Sequence, residues 1–152
     1  MNKPISTRVH GLIDYSWVAT ASALATRANG ATSTARLLRR AATTATANSL
    51  MTNYEAGTVR MMPMKGHLAM DFALCGALIA APFYLPESER RYAVLPMLLG
   101  AMGLMTALLT QTRSPTESVE EFGGVFGGGE LSEVADPDPD FVEAPHLRRH
   151  LE

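Results

Sequence analysis

The spacing of charged residues along the chain predicts two strongly apolar helices. Residues 93–109 lie inside a charge-free gap between Arg91 and Arg113, and the stretch 66–86 contains Asp71 as its one charged residue. A bilayer core of about 30 Å is crossed by a helix of about 20 apolar residues. Because both stretches are apolar on every side rather than on one face, we expect both to be transmembrane helices.

Two further segments complete a predicted set of four helices. Residues 9–26 form a moderately apolar segment between Arg8 and Arg27. Residues 41–54 are rich in threonine and asparagine, and such residues are tolerated in a membrane helix when they face other helices. We therefore expect 41–54 to lie inside the bundle, and the predicted fold is an all-α, four-helix transmembrane bundle.

The sequence contains an internal repeat at a spacing of 57 to 58 residues. Residues 8–15 match 65–72, with a basic residue, a histidine, an aspartate and an aromatic residue in register, and 49–53 match 107–111. Each repeat would contain two helices, which places both chain ends on the same side of a membrane. The expected repeats have these approximate bounds: 5–56 and 62–113.

The charge is distributed unevenly between the helical part and the C-terminal part. Residues 1–113 carry eleven Lys and Arg against five Asp and Glu, whereas residues 114–152 carry two against ten. We therefore expect a four-helix domain over 1–113 and a flexible, disordered acidic tail over 114–152. A body without interleaved basic and aromatic residues argues against nucleic-acid binding, and the single Cys75 excludes an intramolecular disulfide framework.

These residues resemble the bacterial SPW-repeat membrane proteins. The resemblance rests on the two His-x3-Asp-aromatic motifs, on the link TNYEAGTVRMMPM at 52–64, and on the helix HLAMDFALCGALIAAPFYL at 67–85. The second repeat has Ala81-Pro82-Phe83 where that family has its Ser-Pro-Trp triplet. The resemblance implies a small protein of the bacterial inner membrane with two repeats of two transmembrane helices, and it implies no biochemical activity.

Two pairs of ionisable residues are the main candidates for a polar site. His10 and Asp14 are four residues apart, as are His67 and Asp71, so each pair shares one helical face. If the pairs converged, two imidazoles and two carboxylates would form a divalent metal site or a proton relay. Alternatively, each pair lies near lipid headgroups in a first helical turn, where an aspartate complements the helix N-terminus.

Four other residues are weaker candidates. Glu55 would either add a carboxylate to the polar site or form an ion pair within the connecting loop. The arginines Arg36, Arg39 and Arg40 form a basic cluster that is expected to contact anionic lipid headgroups.

The predicted function is that of a small integral membrane protein with a non-enzymatic scaffold or partner-binding role. One alternative is a transporter or a metal- or proton-handling membrane protein that uses the His/Asp pairs, and another is a soluble four-helix bundle. We expect no cofactor, a multi-pass membrane location and the lipid bilayer as partner. Alanines at every fourth position of the third helix would also permit a homo-oligomer. They are Ala69, Ala73, Ala77 and Ala81.

Overall fold

The computed structural model describes residues 3–28 and 31–117, and this part of the chain is mostly helical. It confirms the all-α prediction: within these residues there are isolated backbone bridges but no strands. The four α-helices are α1 (Thr7–Arg27), α2 (Thr32–Met51), α3 (Met64–Ile79) and α4 (Val94–Leu109). Two short 3-10 helices, Ala81–Phe83 and Glu87–Tyr92, connect α3 to α4.

The helix ends follow from local sequence signals. The side chain of Ser6 accepts a hydrogen bond from the Val9 amide at the start of α1, as an N-cap serine does. Pro63 directly precedes α3. Pro96 is the third residue of α4, where its missing N–H group has no intrahelical partner to lose.

A distant carboxylate caps the start of α2. Glu89, from the second 3-10 helix, accepts hydrogen bonds from the amides of Ser33 and Thr34 and from the Thr34 hydroxyl. The Thr34 amide is the main cause that lowers the pKa of Glu89 below its ordinary value. This contact fixes the connection between α3 and α4 against the start of α2.

The transmembrane prediction is wrong for the described helices, none of which is both long enough and apolar enough to cross a membrane. Helices α3 and α4 have 16 residues each, which gives about 24 Å against a core of about 30 Å. The apolar stretch 66–86 does not form one helix, because α3 ends at Ile79 and a 3-10 turn containing Pro82 follows. The finding also overturns the multi-pass membrane location.

The core lies between the four helices and consists largely of alanine with a few large side chains. Trp17, Leu38, Leu78 and Leu99 come from α1, α2, α3 and α4 respectively, and all are buried. The Trp17 indole donates a hydrogen bond to the Leu99 carbonyl over 3.0 Å, which ties α1 to α4.

Helix α2 was expected to lie inside the bundle, but only one of its faces is buried. It buries a stripe of small residues, and its opposite face is exposed. The buried alanines are Ala35, Ala41, Ala42 and Ala45; the exposed residues include Arg36, Arg39, Arg40, Thr43 and Thr44. The Thr43 hydroxyl donates to the Arg39 carbonyl one turn earlier, so it needs no partner on another helix.

Two matching backbone bridges bring four helix ends together. Ile5, just before α1, pairs with Thr110 after α4, and Met62, just before α3, pairs with Thr52 after α2. Corresponding positions of the two bridges follow the spacing of the sequence repeat, since Ile5 and Met62 are 57 residues apart and Thr52 and Thr110 are 58 apart. The first turns of α1 and α3 therefore lie beside the ends of α4 and α2, and this end of the bundle carries the site.

Candidate metal centre

Four side chains converge between the first two turns of α1 and α3. They are His10 and Asp14 from α1 and His67 and Asp71 from α3, and their ligand atoms lie within 4.8 Å of one another. The histidine side chains are 1% and 0% exposed, and each aspartate side chain is 14% exposed. The two pairs lie away from solvent, which differs from the exposed, headgroup-level arrangement that was the alternative expectation.

The distances within the cluster are short and nearly uniform. The Nε2 atoms of His10 and His67 are 3.0 Å apart. The Oδ2 atom of Asp71 lies 3.2 Å from the first of these nitrogens and 3.1 Å from the second. The Asp14 carboxylate spans both histidines, with Oδ1 3.4 Å from His10 and Oδ2 3.2 Å from His67.

A threonine orients each histidine from behind. The Nδ1 atom of His10 lies 2.8 Å from the Thr110 hydroxyl, and that of His67 lies 2.9 Å from the Thr52 hydroxyl. Each hydroxyl donates its single proton elsewhere, Thr110 to the Thr106 carbonyl and Thr52 to the Asn48 carbonyl. Each threonine oxygen must therefore accept a hydrogen bond from the histidine Nδ1–H group.

This assignment determines which nitrogen atoms face the cluster. With Nδ1 protonated, a neutral histidine presents the lone pair of Nε2, so His10 and His67 both direct Nε2 lone pairs at the same small space. Two protonated Nε2 atoms at 3.0 Å would direct two N–H groups at one another. The arrangement is therefore well suited to a cation held between the two rings.

Hydrogen bonds from α2 and the segment after it hold the two carboxylates. The Ser49 hydroxyl donates to Asp14 over 3.1 Å, and the Tyr54 hydroxyl donates to the same oxygen over 3.4 Å. The Asn48 amide donates to Oδ1 of Asp71 over 2.9 Å. Both aspartates thus remain acceptors, and their charges are compensated only in part by neutral donors.

The surroundings raise the pKa of His67 and lower the pKa of Asp71. Burial alone would lower the pKa of His67, but hydrogen bonds to Asp14 and Asp71 raise it to about 9. Burial alone would raise the pKa of Asp71, but hydrogen bonds from His10 and His67 lower it below its usual value. In the absence of another cation, the two carboxylates therefore retain a proton on His67 at neutral pH.

The thiol of Cys75, one turn beyond Asp71, is uncharged, unlike the carboxylates of the cluster. Burial, followed by the charges of Asp71 and Asp14, raises the pKa of Cys75 to about 12. Burial likewise raises the pKa of Tyr54. Both groups are therefore neutral at physiological pH, and neither adds charge to the cluster.

The weaker candidate residues lie elsewhere. Glu55 is outside the group of converging ligand atoms, and its carboxylate accepts hydrogen bonds from Thr7 and Ser114. The basic cluster Arg36, Arg39 and Arg40 is exposed in the first half of α2, whereas Asn48 and Ser49, which contact the site, come from its last turn.

Only the beginning of the predicted acidic tail falls within the described residues. The Ser114 hydroxyl contacts Glu55, Thr116 donates to the Asn53 carbonyl, and Glu117 accepts a hydrogen bond from the Met64 amide at the start of α3. The remainder of the tail, 118–152, lies outside the described residues.

Several residues of the site were not anticipated from the sequence. The two threonines recur at the repeat spacing, since Thr52 and Thr110 are 58 residues apart and the histidines are 57 apart. This shared spacing of threonines and histidines was the sequence signal that could have identified the two histidine–threonine hydrogen bonds. Asn48 and Ser49 have no such signal, because the repeat places Thr106 and Ala107 at the matching positions.

Comparison with known proteins adds no relative: no family model, no curated protein and no solved structure matches the chain. The resemblance to SPW-repeat proteins therefore stays a prediction, and the residues of the cluster themselves are the basis for proposing a function.

Proposed function

We propose that this protein binds one divalent transition-metal ion, of the class that includes Zn²⁺, between His10, Asp14, His67 and Asp71. The observation that carries the proposal is the meeting of two Nε2 atoms at 3.0 Å, beside two carboxylates, in a buried position. Two neutral imidazoles and two carboxylates form a neutral assembly with a dication, which removes the main cost of burying the charges.

The spacing of the donor atoms supports a four-coordinate ion. Zinc binds nitrogen and oxygen at about 2.0–2.2 Å, so neighbouring ligand atoms of a tetrahedral site lie about 3.3–3.6 Å apart. The five nitrogen–nitrogen and nitrogen–oxygen distances within the cluster run from 3.0 to 3.4 Å. Small outward shifts of the side chains would complete the site without a change of rotamer.

The chemistry of the donors narrows the class of ion. Imidazole nitrogen suits zinc, copper, iron and nickel, whereas calcium and magnesium prefer sites made of oxygen ligands. Threonine partners behind each histidine are the kind of outer contact that metal-binding histidines have, since they fix the ring orientation and the free nitrogen. The ion would be held by two residues from each half of the chain.

The binding test uses chelator-treated protein titrated with Co²⁺. Trp17 is the only tryptophan and borders the cavity that His10, Asp14 and Asp71 also line, so a paramagnetic ion in the cluster should quench its fluorescence. We expect one ion to bind per chain and Zn²⁺ to reverse the quenching. Isothermal titration calorimetry gives the stoichiometry independently.

Matched variants separate the cluster from the other histidines. His67→Ala and Asp71→Asn should lose binding, and the second substitution preserves the side-chain shape and the acceptor for Asn48. The double variant His146→Ala/His150→Ala removes the other two histidines of the chain and should bind like the unchanged protein. Unchanged Co²⁺ affinity in a folded Asp71→Asn protein would contradict the proposal.

A specific observation also supports the second candidate, a partner-binding role. Helix α4 has no charged residue, and it exposes a row of large apolar side chains. The most exposed of them are Val94, Leu98, Met102, Met105 and Leu108. Contiguous exposed apolar surface marks interaction sites in many proteins. Of the four alanines of the predicted stripe, Ala69, Ala73 and Ala77 are exposed as well, and Ala81 is buried.

The partner tested first is a second copy of this chain. Light scattering after size-exclusion chromatography gives the mass of the particle, and we propose that Leu98→Glu reduces it toward that of one chain. The control is Met61→Glu, since Met61 is 71% exposed and lies in the loop before α3 rather than on α4. A single-chain mass for the unchanged protein would exclude self-association through this face.

A further inference from the structure

A small cavity borders the cluster on its inner side. Its volume is about 20 Å³, and a single water molecule needs about 10–15 Å³. His10, Asp14 and Asp71 line it, whereas His67 does not. The cavity therefore opens onto three of the four proposed ligands, on the side of the cluster away from His67.

We propose that this cavity is an additional coordination position of the metal ion, which binds water or another ligand of one or two non-hydrogen atoms. This inference rests on the proposed metal binding. An ion at the centre of the four donors would lie beside the cavity that three of its ligands line, so a fifth donor would approach from the cavity. Zinc sites sometimes expand from four to five ligands.

The cavity walls favour a ligand that donates a hydrogen bond. Thr106 lines the cavity, and its hydroxyl donates its proton to the Met102 carbonyl, so the hydroxyl oxygen is left as an acceptor. The Trp17 indole also lines the cavity, but its N–H group is already bonded to Leu99. A water molecule bound to the ion would donate to Thr106 with no competing donor from the indole.

One buried atom beside the site points to a missing group. The Asn48 side chain donates from Nδ2 to Asp71 and to the His67 carbonyl. Its Oδ1 atom is buried and has no hydrogen-bond partner among the described residues. Asn48 is not among the residues that line the cavity, so its unsatisfied oxygen indicates a missing group beside the cluster independently of the cavity ligand.

The size of the cavity sets the class of ligand. Its remaining walls include the apolar residues Ile13, Leu74 and Ala45, and its volume of about 20 Å³ suits a ligand of one or two non-hydrogen atoms. A metal site with an open position is the arrangement of reactive centres, while purely structural sites are closed by protein ligands. The ion would thus exchange a small ligand rather than only join the helices.

The test uses protein loaded with Cu²⁺ and transferred into D₂O. Pulsed electron paramagnetic resonance should detect exchangeable deuterons coupled to the ion at the distance of a bound water. Ala45→Val fills the cavity and should abolish the deuteron signal while the ion remains bound. The control is Ala41→Val, the same substitution one turn earlier on α2, where Ala41 is buried in the core and does not line the cavity.

The possible outcomes test the open coordination position and the metal binding separately. Bound Cu²⁺ without exchangeable deuterons in the unchanged protein overturns the open position but leaves the proposed metal binding standing. Failure of Cu²⁺ to bind overturns the proposed function itself. A deuteron signal that persists in Ala45→Val places the water outside this cavity; if that variant does not fold, Leu74→Phe fills the same cavity from α3 and gives the same test.

Discussion

At the scale of single residues, the orientation of each histidine depends on the other half of the chain. His10 in the first half donates to Thr110 in the second, and His67 in the second half donates to Thr52 in the first. Because each threonine has given its proton to a carbonyl, each histidine is confined to one tautomer. The free nitrogen that a metal requires is thus set by a neutral hydroxyl.

We expect Thr52→Val and Thr110→Val each to weaken metal binding by about 10–100-fold, the usual effect of losing a partner behind a metal-binding histidine. Valine matches the shape of threonine but leaves the Nδ1–H group without an acceptor, so the tautomer is no longer fixed. Competition titration of Zn²⁺ against a chelator measures the change. Thr43→Val, on the exposed face of α2, should leave the affinity unchanged; an equal loss there would show a general effect on the helices.

The pKa shifts predict how the stability of the metal-free protein depends on pH. The pKa of His67 rises from 6.5 unfolded to about 9 folded, so its contribution is complete below about pH 6.5 and is lost as the pH rises through 9. The pKa of Asp71 is lowered from 3.8, so its contribution is present above that value and is lost on further acidification. We expect maximal stability between about pH 4 and 6.5.

Urea unfolding of chelator-treated protein across this range measures the effect, with His67→Asn as the control that removes the decline above pH 6.5. Bound Zn²⁺ should reverse the trend, because it displaces the proton from His67 and therefore binds more tightly as the pH rises toward 9. Metal affinity that is independent of pH would show that the ion does not use this nitrogen.

The four central residues of the site could be predicted from the sequence, but their convergence could not. The four-residue spacing of His10 and Asp14, and of His67 and Asp71, places each pair on one helical face. Whether the faces meet depends on how α1 is placed relative to α3. That placement involves contacts between distant parts of the chain, such as the bridge from Ile5, before α1, to Thr110, after α4.

At the scale of elements, α1 and the loop after α2 approach each other at a glycine. A methyl group on Gly11 would lie 2.6 Å from the Ala56 side chain and 2.8 Å from the Tyr54 ring. Tyr54 is fully buried and its hydroxyl reaches Asp14. The absence of a side chain at this position therefore lets the loop hold one carboxylate of the site.

Gly11→Ala should destabilise the protein by about 1–3 kcal/mol, as overpacking in a buried contact does, and should weaken metal binding by displacing Tyr54. The matched substitution Gly76→Ala lies in α3, where an added methyl group meets nothing within 4 Å. It should stabilise the protein by up to about 1 kcal/mol, because alanine is the better helix former. Thermal unfolding of both variants checks the opposite signs.

The elements also show where hydropathy misled the prediction. Residues 93–109 and 66–86 are apolar over the length needed to span a membrane, but hydropathy counts residues and does not measure the length of unbroken helix. The 3-10 turn that contains Pro82 follows the end of α3 at Ile79, whereas α4 covers nearly all of the predicted stretch 93–109 but has only 16 residues. Proline restricts the backbone and removes an amide donor, a local signal that outweighs the apolar composition.

At the scale of the whole molecule, a metal ion in the cluster would join the two halves of the chain, since each half supplies one histidine and one aspartate. Ligands that bind only the folded state stabilise it according to their concentration, by about 2.7 kcal/mol at 100 times the dissociation constant. We therefore expect Zn²⁺ to raise the melting temperature in a concentration-dependent way.

The variants Asp14→Asn and Asp71→Asn should show little or no rise in melting temperature with Zn²⁺. Each removes one carboxylate, so the remaining ligands neither complete the site nor balance the charge of the ion. Differential scanning calorimetry at several Zn²⁺ concentrations provides the measurement. A rise of equal size in both variants and in the unchanged protein would mean that the ion stabilises some other region.

The crossed pairing of the two halves bears on how such a chain could arise. Each half contributes one histidine, one aspartate and one threonine to the site, and its threonine accepts a hydrogen bond from the histidine of the opposite half. A single half could not complete the arrangement, but two identical halves related by a twofold axis would do so. The present chain is thus what gene duplication and fusion would produce from a two-helix ancestor whose dimer brought the two histidines and two aspartates together.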